Sequence, residues 1–195
     1  METASVDDLI GKLAFRLTRV GYFLATAESC TGGMIASRCT DKAGSSMWFK
    51  GGIVSYSNEM KRDVLVVPQA CLLQYGAVSA PVVQHMALGA LRIAEADAAI
   101  AVSGVAGPTG GTPEKPVGTV WIAVAVKEQT GVCAFDETRG VLASLNCART
   151  KQDGGEALLV TVRCHFYGDR AAVRSQTTER SLAILCELLA EGGLG

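Results

Sequence analysis

Hydrophobic side chains recur at helical spacing in several segments of the chain, beginning with residues 6–20, which Gly21 follows as a stop signal. A second long pattern follows Asp169, a residue suited to cap a helix, and continues to Leu189. The predicted helices cover residues 6–20, 34–40, 59–66, 79–96 and 169–189. The helix that begins at Ser79 tolerates Pro81 because proline fits the first turn.

Shorter, continuous apolar runs alternate with these helices and predict buried strands. The predicted strands cover residues 22–27, 50–57, 98–102, 117–126 and 157–166. Alternating helices and strands predict an α/β sandwich. The last two strands are joined without a helix, so we expect them to pair antiparallel and to make the sheet mixed. Residues 127–155 between them show no clear period, and we interpret them as a long hairpin excursion.

Composition and charge exclude several classes of protein. The 195 residues fit a single domain spanning 1–195, and the net charge of -1 offers no basic face for general nucleic-acid binding. No apolar run is long enough to span a membrane, and the N-terminus is acidic where a signal peptide is basic. These features predict a cytoplasmic protein. Seven scattered cysteines and two distant histidines argue against a disulfide framework and a metal site.

The segment 28–33 combines a possible nucleophile with a tight turn. A predicted strand runs directly into Ser29 and Cys30, and Gly32 and Gly33 then open a helix. The N–H groups at such a helix start are predicted to point outward, where they could hold a developing oxyanion. A plain capped turn explains the local pattern equally well.

Lys61 is a candidate general base, because burial lowers the pKa of a lysine. It follows Tyr56 at the end of a predicted strand, where α/β proteins place their sites. With no suitable histidine, a Ser–Lys pair is the natural substitute for a catalytic triad. The ordinary alternative is a solvated lysine near a helix start. Ser46, in the turn Gly44-Ser45-Ser46, would alone be interpreted as a loop residue.

Two further segments could contact an anionic ligand. The glycine-rich segment 103–112 begins with Ser103 and Gly104 and allows close approach of a phosphate or carboxamide, although it lacks the Walker A and dinucleotide patterns. Arg170, after the capping Asp169, could pair with a phosphate. A surface turn and an exposed arginine are the competing interpretations.

The order of these segments closely resembles the C-terminal domain of the CinA (competence/damage-inducible) family, whose enzymatic members are nicotinamide mononucleotide deamidases. The matching blocks are Thr26-Ala27-Glu28-Ser29-Cys30-Thr31-Gly32-Gly33, Gly44-Ser45-Ser46, Tyr56-Ser57-Asn58-Glu59-x-Lys61, Gly76-Ala77-Val78-Ser79, Ser103-Gly104-Val105-Ala106-Gly107-Pro108, Gly111-Thr112-Pro113-Glu114-Lys115-Pro116-Val117-Gly118 and Phe166-Tyr167-Gly168-Asp169-Arg170. The resemblance covers about residues 6–128 and 160–190.

This resemblance implies a three-layer α/β/α fold with a mixed, mostly parallel sheet, and hydrolysis of a nucleotide carboxamide to the acid and ammonia. It implies no metal, no organic cofactor and self-association as a dimer or tetramer. By matching motif, the catalytic candidates are Ser29, Ser46, Tyr56 and Lys61, and the substrate contacts are Thr31, Gly32, Ser103, Gly104 and Arg170.

The mechanistic hypothesis is attack by Ser29, with its proton taken by Lys61 assisted by Tyr56, and with the N–H groups around residues 31–33 holding the oxyanion. Ser46 is the alternative nucleophile. Cys30 is a third possibility, but alternation along the strand points its side chain toward the core.

The chain departs from the family pattern at the insertion of about residues 128–158, which makes the transfer of Arg170 the least direct. Longer family members also carry a separate N-terminal domain, which we do not expect here. Two other functions stay open: a catalytically silent nucleotide-binding module with a regulatory role, and an amidase that acts on a different small amide.

Overall fold

A computed structural model describes residues 5–128, 146–152 and 155–190. Within these ranges the strands are β1 (Leu24–Glu28), β2 (Phe49–Val54), β3 (Ala98–Gly104), β4 (Thr119–Lys127), β5 (Asn146–Gln152) and β6 (Gly155–His165). The helices are α1 (Val6–Val20), α2 (Met34–Asp41), α3 (Asn58–Asp63), α4 (Gln69–Tyr75), α5 (Ala80–Ile93) and α6 (Arg170–Leu189), with a 3-10 turn at Ser45–Met47.

All six strands of the described ranges form one sheet in the order β2-β1-β3-β4-β6-β5. The β1–β2 and β1–β3 pairs are parallel, whereas β4 pairs antiparallel with both β3 and β6, and β5 with β6. The prediction of a mixed sheet is confirmed. The description "mostly parallel" is wrong for the described strand pairs, because β4, β6 and β5 add three antiparallel pairs to the two parallel ones.

Helices cover both faces of the sheet, which confirms three layers. Helices α1, α2 and α6 pack on one face against branched side chains such as Ile100 and Ile122. Helices α4 and α5 pack on the other face. There the sheet presents mainly small side chains, which let α5 lie close to the strands: Ala25, Ala27, Ala99, Ala101, Ala123, Ala125 and Ala157.

Capping residues fix ends of the first and the last predicted helix, α1 and α6. Ser5 accepts a hydrogen bond from the N–H of Asp8 and starts α1, which ends at Gly21 with φ 72°. That left-handed conformation is one that glycine adopts readily. Asp169 accepts a hydrogen bond from Ala172 N and starts α6, as predicted.

The structure differs from the predicted elements at several places. Helix α3 ends at Asp63 and strand β2 at Val54, each three residues before the predicted end. Helix α5 ends at Ile93, earlier than predicted, and Glu95 shortly after it has a left-handed φ of 48°. Helix α4 was not predicted. The insertion lies partly outside the described residues, since 129–145 and 153–154 are not described, but β5 forms the outer edge of the sheet beside β6. Because β6 begins at Gly155, the last residues of the predicted insertion belong to the sheet.

The composition predicted neither a disulfide framework nor a membrane-spanning helix. Six cysteines in the described ranges are free thiols, and Cys133 lies outside those ranges. No described helix has the length and apolar character needed to cross a membrane.

The close approach of α2 to β2 requires a glycine at position 52. A Cβ atom on Gly52 would lie 2.6 Å from the Cβ of Ala36 and 2.7 Å from Oγ1 of Thr26. We expect Gly52→Ala to lower the free energy of unfolding by about 1–3 kcal/mol, the usual cost of overpacking. Gly11→Ala is the matched control: nothing lies near its added methyl, so it should leave stability unchanged or raise it. Urea unfolding of both variants measures the difference, and equal effects would contradict the packing argument.

Candidate active site

Ser29 stands at the carboxyl end of the parallel part of the sheet, directly after β1. Its N–H donates to the carbonyl of Val102 on β3 at 3.1 Å, so the backbone of Ser29 is fixed as an extension of the strand ladder. Its side chain lies among largely buried groups. This edge is where open α/β sheets place their ligands, because the loops that follow adjacent parallel strands meet there.

Lys61 is brought to Ser29 by the short helix α3. Ser57 caps that helix by accepting from Met60 N, and Lys61 lies one turn further on with only 1% of its surface exposed. Its Nζ lies 3.1 Å from Ser29 Oγ. Two carbonyl oxygens complete its surroundings, Ser55 O at 2.7 Å and Tyr56 O at 3.1 Å. The two side chains predicted to meet are therefore in hydrogen-bond contact.

Burial changes the proton affinity of this lysine. Removal from water lowers the pKa of Lys61 to about 8, against a smaller opposing influence of the Cys30 thiol. No carboxylate in the described part of the chain forms an ion pair with Lys61 that would restore its charge. Burial therefore favours the neutral amine, which is the form that can accept a proton.

Glu28, which the sequence interpretation left without a role, is completely buried beneath the Ser29 turn. Its carboxyl oxygens accept hydrogen bonds from two hydroxyls and three backbone N–H groups of the α2 start. The donors are Thr26 Oγ1 (3.1 Å), Thr31 Oγ1 (2.7 Å), Gly33 N (2.9 Å), Ile35 N (3.1 Å) and Ala36 N (2.8 Å). The helix N-terminus is therefore capped from within the protein.

This internal cap corrects the predicted oxyanion site. The N–H of Gly33 donates to Glu28, and the N–H of Gly32 donates to Ser29 O at 3.2 Å, so neither points outward. The preceding amides of the turn lie against the Cys30 thiol. Burial raises the pKa of that thiol to about 11, opposed by the N–H groups of Cys30 and Thr31. Cys30 faces the core, as the alternation predicted.

Thr31 also has a different role from the predicted substrate contact. Its side chain is fully buried, and besides the bond to Glu28 its carbonyl accepts from Arg174 Nη2 at 2.6 Å. Sequence reasoning missed Arg174, because an arginine in the second turn of a helix is ordinarily a solvated side chain. Gly32 follows with φ 62°, and a Cβ there would lie 3.6 Å from the Arg174 guanidinium.

The structure separates Ser46 from Lys61 within one chain. Ser46 lies in the exposed 3-10 turn before β2, and Leu24 at the start of β1 donates to Trp48 O. Ser29 is at the other end of β1, roughly 15 Å away at the rise of a strand. The expectation that either serine could face Lys61 of the same chain is therefore wrong for Ser46, because parallel strands hold the two turns at opposite edges.

Tyr56 lies beside Lys61, but through its backbone. Its carbonyl accepts from Nζ, whereas the residue as a whole is 61% exposed. The structure thus gives the residue a contact with the base that does not use the phenol.

The glycine-rich segment and Arg170 lie at the same edge of the sheet as Ser29. Arg170 donates through Nη1 to Gly107 O at 3.1 Å and so links the start of α6 to this segment. Ser103 is 1% exposed on β3. Gly104 is required by packing, because a Cβ there would lie 2.6 Å from Val120 and 2.8 Å from the carbonyl of Thr119.

Comparison with known proteins gives the same family throughout. The family profile described as the CinA C-terminal domain matches residues 6–152. The nicotinamide-nucleotide amidohydrolase PncC of Enterobacter agglomerans is 42% identical over 93% of this chain and 94% of its own length. The protein of that name from Escherichia coli K12 is 46% identical over 85% of this chain and 83% of its own length.

A solved structure supports this relationship at the level of the fold. The competence-damaged protein (CinA) superfamily protein of Klebsiella pneumoniae has a TM-score of 0.77 and 35% identity, covering 96% of this chain and 99% of that one. The family profile covers most of the chain, and both the sequence and the structural relatives extend over nearly all of it. The chain belongs to the CinA C-terminal domain family.

Proposed function

We propose that this chain hydrolyses the carboxamide of nicotinamide mononucleotide to nicotinic acid mononucleotide and ammonia. The observation that carries the proposal is the contact between Ser29 Oγ and the buried Nζ of Lys61. The printed names of the two bacterial relatives, nicotinamide-nucleotide amidohydrolases, support the substrate. The reaction needs an activated nucleophile and a base near neutral pH, and this pair offers both.

The surroundings of Lys61 can also accommodate a neutral amine. A neutral amine has two N–H bonds and one lone pair. The carbonyls of Ser55 and Tyr56 accept the two N–H bonds, which leaves the lone pair directed at Ser29. Nζ and Ser29 Oγ are 3.1 Å apart, so when the amine is neutral the hydroxyl of Ser29 can donate to this lone pair and lose its proton to it.

Catalysis then runs in two halves. Ser29 Oγ bonds to the carboxamide carbon as Lys61 takes its proton, and the C–N bond breaks as that proton passes to the leaving ammonia. Water next attacks the acyl ester, loses a proton to Lys61 and releases the acid, while the proton returns to Ser29. The N–H groups of Gly32 and Gly33 donate within the protein, so they are not assigned to the oxyanion.

Substrate binding is assigned to the segment 103–112 and to Arg170. The Arg170 guanidinium uses one N–H on Gly107 O and keeps others for a phosphate. Ser103 belongs to the same edge but contacts substrate only if its buried hydroxyl becomes accessible. We propose no metal and no organic cofactor, since the Ser29–Lys61 chemistry needs neither.

A direct assay tests the proposal. Purified protein incubated with nicotinamide mononucleotide should release equal amounts of ammonia and nicotinic acid mononucleotide, and Lys61→Met should not. Binding of the nucleotide without ammonia release would identify a silent binding module. Ammonia release from other small amides but not from this nucleotide would identify a different amidase.

The pH dependence of the rate should report the lysine. Only the neutral amine accepts a proton, so kcat/KM should fall about tenfold per pH unit below the Lys61 pKa of about 8 and reach a plateau above it. The measurement is kcat/KM between about pH 6 and pH 10. A flat profile across that range would exclude Lys61 as the titrating base.

We also propose that the protein is cytoplasmic and assembles as a dimer or tetramer. Exposed apolar side chains near the edge strand β2 support assembly, among them Val54, Tyr56 and Met60. Light scattering on the purified protein measures the assembly, and fractionation of cells measures the location. A monomeric protein at micromolar concentration would contradict the proposed assembly.

We further propose one domain over residues 1–195, with a peripheral insertion that ends before β6. Lys127 and Ala157 are paired across β4 and β6, and Glu128 N donates to Glu156 O at 2.8 Å, so a tight turn can join these strands directly. Replacing residues 129–155 by Asn-Gly should leave a folded, soluble protein by circular dichroism. Loss of assembly in that variant would instead identify the segment as an interface.

A further inference from the structure

Thr31 is held at two atoms by residues from different parts of the chain. Its hydroxyl donates to Glu28 Oε2 at 2.7 Å, and its carbonyl accepts from Arg174 Nη2 at 2.6 Å. Glu28 is the last residue of β1, whereas Arg174 lies near the start of α6, the last helix of the chain's described part. One residue of the turn at 29–33 is therefore fixed both from the sheet below and from a helix beside it.

The turn needs such fixing because of its backbone. Gly32 and Gly33 follow each other with φ 62° and 94°, a left-handed pair with no side chains to restrict it. Glycines have many alternative conformations, so the turn would lose its shape without outside contacts. Since Ser29 precedes these glycines and its carbonyl accepts from Gly32 N, that shape also sets the direction of the serine.

Among the described residues, the hydrogen bond to the Thr31 carbonyl is the main contact of the Arg174 guanidinium. It forms no ion pair in the described part of the chain, and its Nε is buried without an acceptor. A buried unpaired donor is costly, so an arginine that served only packing would be a poor choice here.

We propose that Glu28 and Arg174 are positioning residues that act through Thr31 to aim Ser29 at Lys61. The proposal rests on the proposed function in one respect, the role of Ser29 as nucleophile. We call the two contacts of Thr31, with Glu28 and with Arg174, the clamp. Displacements of about 1 Å at a reacting group can cost about 10²-fold in rate, so losing one contact of the clamp should be visible in kcat.

Thr31→Val removes the hydroxyl and keeps the shape, while Thr31→Ser keeps the hydroxyl and is the matched control. Hydrogen exchange of the segment 29–36 measures the turn directly, because Gly33, Ile35 and Ala36 all donate to Glu28. We expect exchange there to be faster in Thr31→Val alone. We expect kcat to fall about tenfold or more at unchanged KM in that variant, with near-normal values in Thr31→Ser.

Arg174→Met tests the other side of the clamp, with Arg180→Met on the same helix as its control. Arg180 is partly exposed and pairs only loosely with Glu187 at 3.7 Å. A fluorophosphonate reports on Ser29 without the nucleotide: the Oγ–P bond forms, fluoride leaves, and the serine proton passes to Lys61. We expect slower labelling and faster exchange in Arg174→Met but not in Arg180→Met.

The outcomes separate the two proposals. Unchanged exchange and unchanged labelling in folded Thr31→Val and Arg174→Met would overturn the clamp. If the unaltered protein neither labels at Ser29 nor releases ammonia while exchange still responds to both variants, the clamp holds the turn but the serine mechanism fails. In that case the positioning role, as stated here, is overturned with it.

Discussion

Replacing Ser29 by alanine should lower kcat by about 10⁴-fold or more, because it removes the atom that forms the new bond. Lys61→Met should cause a loss of similar size, since a nucleophile and its base act as one unit. The double variant should be little worse than either single variant. Ammonia release at saturating nucleotide measures all three, and calorimetric titration should show that Ser29→Ala still binds the substrate.

Ser46→Ala is the informative comparison for this experiment. Ser46 is at the opposite end of β1 from Ser29, so its removal should leave measurable turnover. The reverse result, an inactive Ser46→Ala and an active Ser29→Ala, would exclude Ser29 as the nucleophile. It would also require a second copy of the chain to bring Ser46 to Lys61, because one chain cannot.

Glu28→Gln should be the most destabilising single change near the site, lowering the free energy of unfolding by about 3 kcal/mol or more. The carboxamide introduced by this substitution can accept hydrogen bonds only through its oxygen. Its NH₂ group would face N–H and O–H donors that now meet two carboxyl oxygens. Each donor left without an acceptor in a buried site costs about 1–3 kcal/mol, so even two such losses account for the expected effect.

Chemical unfolding compares this variant with Glu59→Gln, in which the replaced carboxyl lies on the exposed face of α3. We expect the midpoint of Glu59→Gln to stay close to that of the unaltered protein. A Glu28→Gln variant as stable as this control would mean that water or a rearranged turn replaces the lost acceptor.

The fold was largely predictable because its signals are local. Gly21 and Asp169 mark helix ends by their own conformational preferences, and α1 and α6 follow as predicted. Helix α4 was missed because it is seven residues long and buries only Cys71 and Leu72, too few to show a period. The antiparallel pairing of β4 with β6 was predicted because no helical pattern separates their two apolar runs. Strand β5 was not predicted, because it lies in a segment without a clear pattern.

The residues of the candidate site could be predicted only where their side chains have a reactive group, and not where they hold the backbone in place. Ser29 and Lys61 became candidates because a nucleophile needs a base and no histidine was suitable, and the resemblance to the CinA family selected them over the ordinary alternatives. Glu28 was overlooked, because a sequence does not reveal that a carboxyl group turns inward to cap the next helix. Arg174 was overlooked for a related reason, since its partner is a backbone carbonyl 143 residues away. Contacts with backbone atoms leave no mark in the residue types of the partner.

The layer of alanines beneath α5 has a consequence for how the sequence can change. Ala99 and Ala101 on β3 are completely buried beneath α5, and a Cβ added to Gly89 on that helix would meet the carbonyl of Leu65. A larger residue at either alanine would need a smaller one on the helix, and positions of α5 should therefore co-vary with the strands below. On the opposite face, Ile100 and Ile122 can exchange with other aliphatic residues of similar volume. Tolerance to substitution should differ between the two faces of one sheet, although both are equally inaccessible to water.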